Sequence, residues 1–491
     1  MTSINTNVPS MLAQRVLRFQ NHALTTSLER LSTGLRINRG KDDPAGLIAS
    51  ENLRAGMNAI GAAIKNAQRA EQVINVAEGG LQEISNLLVD LQSLVGQSAN
   101  EAGISKEEKD ANQLQINSIL QTIDRLAGSA SFQGIKLLNG NFDYTTSGVN
   151  ASLLSDVSIN SVKLAKDANL TVSVTTLTSA QTGAVYLSTT GTYTGGPSGG
   201  GALTIEITGN DGVQQFTFAS GTSQASIITA INSFKDSIGV SAIQNTANTS
   251  RVEIHSLGYG SNAFVRVKEL DGPDGSDFIF DVETGGSAVT DLKDKGRDAT
   301  VLINGIQATT DGLEAGVSSG GFDIEVTLVG TSNLNKTNGT EEFTITGGGA
   351  NFSLSPEVNL AGKVSIGIET VTTGNIGKAS IGFLSALKSG GDANVVNGNL
   401  TTAQKIVSEG IKQISSLRGR LGAFQANTIG STIANLGNAL ENTAAAESSI
   451  RDTDFAVETA ELTRRQILAQ AASTTLQIAN AQPQSVLALL G

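Results

Sequence analysis

The chain has 491 residues, 39% of them hydrophobic and only 4% aromatic, with no cysteine, no tryptophan, two histidines and a formal net charge of −12. Zero cysteines exclude disulfides, iron–sulfur clusters, thiolate zinc sites and cysteine nucleophiles, and His22 and His255 lie too far apart for an HExxH zinc motif. The acidic balance has the wrong sign for nucleic acid or an anionic bilayer, and so few rings disfavour large ring-lined ligand pockets while leaving thin leucine-seamed helical layers easy to build.

The first residues, MTSINTNVPSMLAQRVLRFQ, carry no apolar core of a signal peptide, and no run of 18 apolar residues occurs anywhere. If the chain leaves the cell, the expectation is a route other than a conventional cleaved signal. From Ser10 to Thr33, Leu17, Leu24 and Leu31 repeat every seven residues, and Leu28 and Leu35 add a second seam position, which predicts a coiled-coil-like helix. LSTGLRINRGKDDPAG (Leu31 to Gly46) then interrupts it. Gly34 is placed to end one helix, with Asp43 as N-cap and Pro44 as first residue of the next. For Arg36, Arg39, Lys41, Asp42 and Asp43 two readings stay open: a solvated connector, or charges that pair with another subunit.

Leu53, Ile60, Ala67, Ile74, Leu81, Leu88 and Val95 continue at seven-residue spacing, so a helix from Ala45 to Val95 would run roughly 75 Å at about 1.5 Å per residue. SKEE at Ser105 to Glu108 fits a capping box, and Ile116, Ile119, Ile123 and Leu126 carry a third helix to Gly128. From about Asn139 to Thr373 the pattern changes to period two in Gly, Thr, Ser and Val. LTVSV (Leu170 to Val174), LTIEITGNDGVQQFTF (Leu203 to Phe218), VLINGI (Val301 to Ile306) and FDIEVTL (Phe322 to Leu328) are strands and hairpins with Asn-Gly or Asp-Gly turns. TGGPSGGG (Thr194 to Gly201) reads as a loop or edge. Helical patterning returns near Thr401 with Ile411, Ile414, Leu417, Leu421 and Phe424, extends through Ile433, Leu436 and Leu440, and ends in a seam of Phe455, Leu462, Ala469 and Leu476 before Pro483.

The fold class expected is therefore α+β: long coiled-coil-like helices from both termini forming a helical stalk, with a β-rich central insert of one or two domains. The segments are 1–43 (inner helix and joint), 44–165 (outer helices with a β-hairpin region), 166–365 (β-rich surface insert), 366–449 (outer helices again) and 450–491 (inner helix).

LERLSTGLRINRGKDDPAGLIASENLRAGMNAI (Leu28 to Ile60) closely resembles the N-terminal signature of bacterial flagellin. IRDTDFAVETAELTRRQILAQAASTTLQIANAQPQSVLALLG (Ile450 to Gly491) resembles its terminal segment, and the likeness covers about the first 140 and last 100 residues. The resemblance implies a structural, non-enzymatic subunit that self-polymerises into the extracellular filament used for motility. Terminal helices would form an inner tube, the adjoining helices an outer layer and the insert the surface, with Leu31 to Gly46 as the spoke between layers, whose Arg36, Arg39, Lys41, Asp42 and Asp43 the resemblance favours as inter-subunit charges. It implies no cofactor or metal, and as partners other copies of the chain, an export chaperone, a filament cap and hook-junction proteins, with no nucleic acid and no membrane. It also implies that an innate-receptor patch, elsewhere an Arg followed by Glu, reads Gln92 and Ser93 here, a change that predicts weak recognition.

Ordering a residue costs about 1 to 2 kcal/mol and burying a leucine returns about 1.5 to 3, so a seam of two residues in seven barely breaks even alone. The ends are expected to order fully only when neighbouring copies cover them. Leu17, Leu24, Leu31, Leu462 and Leu476 are the leading assembly candidates, with Leu28, Leu35 and Phe455; an intramolecular helical core is the alternative for the same residues. An enzyme reading fails on motifs: AGKVS at Ala361 and IGKAS at Ile376 lack the rest of a P-loop, and Asp271 and Asp274 lack EF-hand spacing. A hook–filament junction protein, or a filament subunit whose insert is also an adhesin, are the other readings.

Overall fold

The computed structural model describes residues 6–100, 102–165, 168–188, 202–245, 251–271, 279–280, 289–332, 335 and 339–490. The TGGPSGGG stretch and Asp274 lie outside the described residues. The helices are α1 (Val8–Thr33), α2 (Pro44–Ser98), α3 (Lys106–Ser129), α4 (Gln224–Asn232), α5 (Lys235–Ile238), α6 (Leu400–Ala423), α7 (Ser431–Arg451) and α8 (Phe455–Leu490), with the strands falling between Ser131 and Phe383. The chain is thus α+β, with helices from both ends and a β-rich centre. Contacts divide it into two units: Met1–Glu71, Ser353–Gly362 and Gln425–Gly491 form one, Gln72–Phe352 and Lys363–Phe424 the other.

The first unit is held by helix faces. Ile60 and Ala63 of α2 pack with Leu436 of α7, flanked by Ile64, Ala439 and Leu440. α1 and α8 form an antiparallel pair, since Asn7 reaches the Ala479 carbonyl at one end while Arg30 faces Glu458 at the other.

In the second unit the seven-residue series is fully used. Ile74, Leu81, Leu88 and Val95 of α2 are buried, as are Ile116, Leu120 and Ile123 of α3 and Ile406, Ile414, Leu417 and Leu421 of α6. The capping box forms as expected: the Ser105 hydroxyl accepts from the Glu108 amide and the Glu108 carboxylate from the Ser105 amide. Gly410 of α6 has no side chain because a Cβ there would run into Ile376.

The β-rich part of this unit has two cores. In the first, a five-stranded sheet runs in the order Ile306–Gln307, Thr300–Ile303, Leu170–Thr178, Gly339–Gly348, Tyr144–Ser147, and a four-stranded sheet in the order Thr309–Asp311, Glu314–Ser319, Phe322–Leu328, Leu154–Val162, all pairings antiparallel. Between them lie Val172, Val174, Ile324, Val326, Phe343 and Ile345. Period two explains this, because alternate residues of each strand enter the core and the rest face out. The Asn304-Gly305 turn has φ of 50° and 78°, the left-handed pair a two-residue hairpin needs. This core takes in residues on both sides of position 165. In the second core, the sheet Ile279–Phe280, Ala184–Ser188, Arg251–Ser256, Val240–Gln244 and the sheet Asp291–Lys295, Phe264–Asp271, Leu203–Thr208, Val213–Phe218 share one apolar cluster with Ile227 and Ile231 of α4.

Three local features go beyond the sequence pattern. The β-rich insert also carries a helix: Ser223 caps α4 through the Ser226 amide, and Ile227 and Ile231, four apart, bury one helix face. Helix does not pass directly from α6 into α7, because a wider π-helical segment, Phe424–Gly430, intervenes. α8 runs through Pro483 to Leu490. A proline has no N–H for the carbonyl four residues back. Here that carbonyl, Ala479, accepts instead from the Asn7 side-chain amide at 2.8 Å.

Candidate assembly interface

α1 begins at Asn7, whose side chain accepts from the Ser10 amide at 3.0 Å, and ends at Gly34, whose φ of 74° lets its N–H reach the Arg30 carbonyl at 2.8 Å. Its seam toward α8 is made largely of small residues. Ser10, Ala13, Ala23 and Ser27 are the buried residues of α1, and Ala472 and Ala479 are buried on α8. Leu17, Leu24 and Leu31 continue the seven-residue register of Ser10 and are half-buried, as are Leu35, Leu462 and Leu476. The seam ends in polar contacts: Ser10 Oγ to Asn480 Oδ1 at 2.6 Å, and Arg30 to the buried Glu458 at 3.6 Å. Leu28 and Phe455 stand outside it, 49% and 58% exposed, with the Phe455 ring beside Gly34.

The apolar residues off the heptad are the ones sequence reasoning missed. Val8, Leu12, Val16 and Phe19, spaced i, i+4, i+8 and i+11, follow one side of α1, and all are exposed, Phe19 to 70%. Val457, Ile467, Leu468 and Ile478 of α8 are exposed as well. The signal was in the sequence, in large apolar side chains at positions a single seam does not use. Monomeric soluble proteins rarely leave contiguous apolar surface of this kind uncovered.

The charged joint is closed within the chain. Leu35 pairs with Asp452 as an isolated antiparallel bridge, with Arg36 N–H donating to the Arg451 carbonyl at 2.7 Å and Thr453 N–H to the Gly34 carbonyl at 2.9 Å. The Arg36 guanidinium donates to the Ile450 carbonyl, and Arg39 pairs with Glu29 at 2.9 Å. Asp42 accepts from the Arg39 and Asn38 amides. Those amides, the Arg39 one first, with Lys41 and Arg30 nearby, hold its carboxyl below its ordinary value. Asp43 caps α2 by accepting from the Gly46 amide at 2.9 Å, while Lys41 is exposed. A Cβ on Gly46 would run into that carboxylate and into Ile37, so the glycine of DPAG belongs to the cap. Ile37, 1% exposed, is the joint's apolar anchor and was also overlooked.

On α2, Gln92 and Ser93 are both exposed, and the Ser93 hydroxyl accepts from Gln97 at 3.1 Å. Among the described residues no three His, Asp or Glu side chains group as a metal ligand set, and no helix is long and apolar enough to cross a membrane.

Comparison with known proteins bears on the same helices. The pattern described as Bacterial flagellin N-terminal helical region matches residues 4–143, and Bacterial flagellin C-terminal helical region matches residues 404–490. Over 504 aligned residues the chain is 30% identical to Flagellin C of Vibrio cholerae serotype O1, covering 100% of this chain and 99% of that one. It is 28% identical to Flagellin D of Vibrio anguillarum, with 100% and 99% covered, and 29% identical to a Flagellin of Salmonella choleraesuis, with 99% of each covered. With its helical ends matched and full-length relatives at this identity, the chain belongs to the bacterial flagellin family and is a subunit of the flagellar filament.

Proposed function

We propose that polymerisation is driven by the outward apolar stripes of α1 and α8, each covered by the terminal helices of neighbouring copies. The observation that carries this is the contrast along the pair: its fully buried apolar side chains are alanines, with leucines only half-buried beside them, while Val8, Leu12, Val16 and Phe19 on one helix and Val457, Ile467, Leu468 and Ile478 on the other remain in water. Fully burying a side chain of that size returns about 1.5 to 3 kcal/mol, more than the thin seam supplies per contact. Leu17, Leu24, Leu31, Leu462 and Leu476 set the pair, and Leu28 and Phe455 join the outward surface. In this reading the helices of 1–43 and 450–491 make an inner layer, those of 44–165 and 366–449 an outer one, and the β-rich part the exposed face of an extracellular filament.

The role is structural rather than catalytic. An export chaperone that shields the stripes before assembly, a cap that holds the growing end and a junction protein at the base are the partners such a subunit requires. With Gln92 and Ser93 presenting neither cation nor anion, recognition by an innate receptor that reads an Arg–Glu pair is weak. Purified monomer in a receptor-reporter assay tests this, strong activation counting against it. For assembly the test is seeded polymerisation followed by electron microscopy. Substituting Phe19, Ile467 and Ile478 by serine abolishes filaments while the monomer melts as before; filaments of normal length would overturn the proposal.

A further inference from the structure

One face of the first β core ends neither in solvent nor in leucines. The strands Leu154–Val162, Glu314–Ser319 and Phe322–Leu328 present Asp156, Glu314 and Glu325 to a cleft of about 120 Å³ whose far wall is α6, with Glu409, Lys412 and Arg420. Leu417 is the one apolar side chain lining it. What crosses the cleft is polar. Lys378 Nζ lies 2.7 Å from Glu314 on the sheet and 3.4 Å from Glu409 on the helix. Glu369 accepts from the Ser158 hydroxyl at 2.6 Å and lies 3.4 Å from Arg420. Gln413 of α6 holds both the N–H and the carbonyl of Gly377, each at 2.9 Å.

The charges do not cancel. Glu314, Glu369 and Glu409 have their cations, but Asp156 and Glu325 add two more carboxylates to a cleft that holds Lys378, Lys412 and Arg420, and Asp143 lines the adjoining hollow beside Glu369. A sheet and a helix pressed together through apolar side chains would be indifferent to protons. A joint made of bridged ions with surplus negative charge is not, because each proton taken up removes a repulsion inside the cleft and leaves the bridges in place.

We propose that this cleft is a proton-operated clamp, in which protonation of Asp156 and Glu325 draws the first β core onto α6 and deprotonation lets the core ride loosely on the helical layer while both stay folded. Burial first, and then the Glu369 charge, push the Asp156 carboxyl up, as they do Asp143; burial and then Glu314 push up Glu325. A carboxyl whose pKa is higher docked than free binds protons better docked. Docking therefore strengthens as pH falls toward these raised values and weakens as pH climbs above them. Although burial opposes it, the Glu314 and Glu409 contacts keep Lys378 above its ordinary value, so it stays charged across that window.

The absence of native cysteines allows a direct test. Spin labels on the full-length monomer at Gln404→Cys of α6 and Ser319→Cys of the sheet report the sheet-to-helix distance by pulsed electron paramagnetic resonance at pH 5 and pH 8. The clamp requires a short, narrow distance distribution at pH 5 and a broader, longer one at pH 8. The double variant Asp156→Asn, Glu325→Gln stays narrow at both, and Lys378→Met is broad at both. Identical wild-type distributions at the two pH values, or a double variant that keeps the full pH response, overturns the proposal. The double variant removes charge without removing volume, so its reading does not depend on whether Lys378→Met folds.

Discussion

The terminal helix pair and the first β core solve opposite problems. In the core, Val172, Val174, Val301, Ile303, Ile324, Val326 and Ile345 are all fully shielded from water by one chain. In the α1–α8 pair the shielded residues, among those described, are Ser10, Ala13, Ala23, Ser27, Glu458, Ala472 and Ala479, while the large apolar side chains are at best half-buried and several are exposed. The core is complete as a monomer, whereas the pair has its apolar surface facing the wrong way for a lone molecule. The same hydrophobic term serves folding in one place and association in the other.

The sharpest way to break this comparison is to remove one side of it. Deleting residues 1–33 together with 455–491 should abolish filament formation at every concentration tested, while the β-rich part retains its melting transition. Global unfolding of the truncated chain would mean that the ends belong to the monomer's own core. The reciprocal change is Phe343→Ala. Phe343 is 1% exposed between the two sheets, and emptying such a site costs about 3–5 kcal/mol. Urea unfolding should show that loss in the transition reporting on the β-rich part, whereas α1–α8 association in correctly folded molecules is unaffected.

Phe19→Ser probes the outward stripe with a smaller effect. Phe19 is 70% exposed, so its loss should leave monomer stability within about 0.5 kcal/mol. If a neighbour covers it in the filament, each subunit loses about 1.5–3 kcal/mol of burial. That raises the critical concentration for polymerisation by roughly 10- to 150-fold. A critical concentration that does not move would remove Phe19 from the interface. The same substitution at a β-core position would do the reverse, harming the monomer first.

Much of this division was legible in the sequence. Seven-residue spacing located α1, α2 and α8, and period two with Asn-Gly punctuation located Phe322–Leu328 and the Asn304-Gly305 hairpin to the residue. What a heptad cannot say is which chain supplies the other side of the seam. Leu17, Leu24 and Leu31 fit an intramolecular and an intermolecular partner equally well, and the structure sets them along the chain's own α8. Phe19 and Ile467 stand off the repeat, and their exposure is a property of the assembled pair and not of spacing. α4 was hidden by its setting: nine residues of helix inside a long run of strand composition carry too few turns for the 3.6 period to stand out. How the helix tolerates Pro483 was hidden for a different reason, since it depends on whether something else satisfies the freed carbonyl, and Asn7 lies more than 470 positions away in sequence.

The smallest effect tests the joint, which belongs to neither region. Its charges are spent locally: Asp42 on the Asn38 and Arg39 amides, Arg39 on Glu29, Arg36 on the Ile450 carbonyl, and Asp43 on the first turn of α2. Asp43→Ala leaves the Gly46 amide without its acceptor and should cost about 1 kcal/mol. Asp43→Asn keeps a cap oxygen and should recover most of that loss, which a mere charge-pairing role would not allow. Gly46→Ala should be at least as damaging as Asp43→Ala, since its methyl must displace either the capping carboxylate or Ile37. Hydrogen exchange of the first-turn amides of α2 reads the three variants side by side. If Asp43→Ala leaves those amides as protected as in the parent chain yet lowers the yield of filaments, the carboxylate is acting on a neighbouring subunit, and the joint joins the terminal helices as assembly surface.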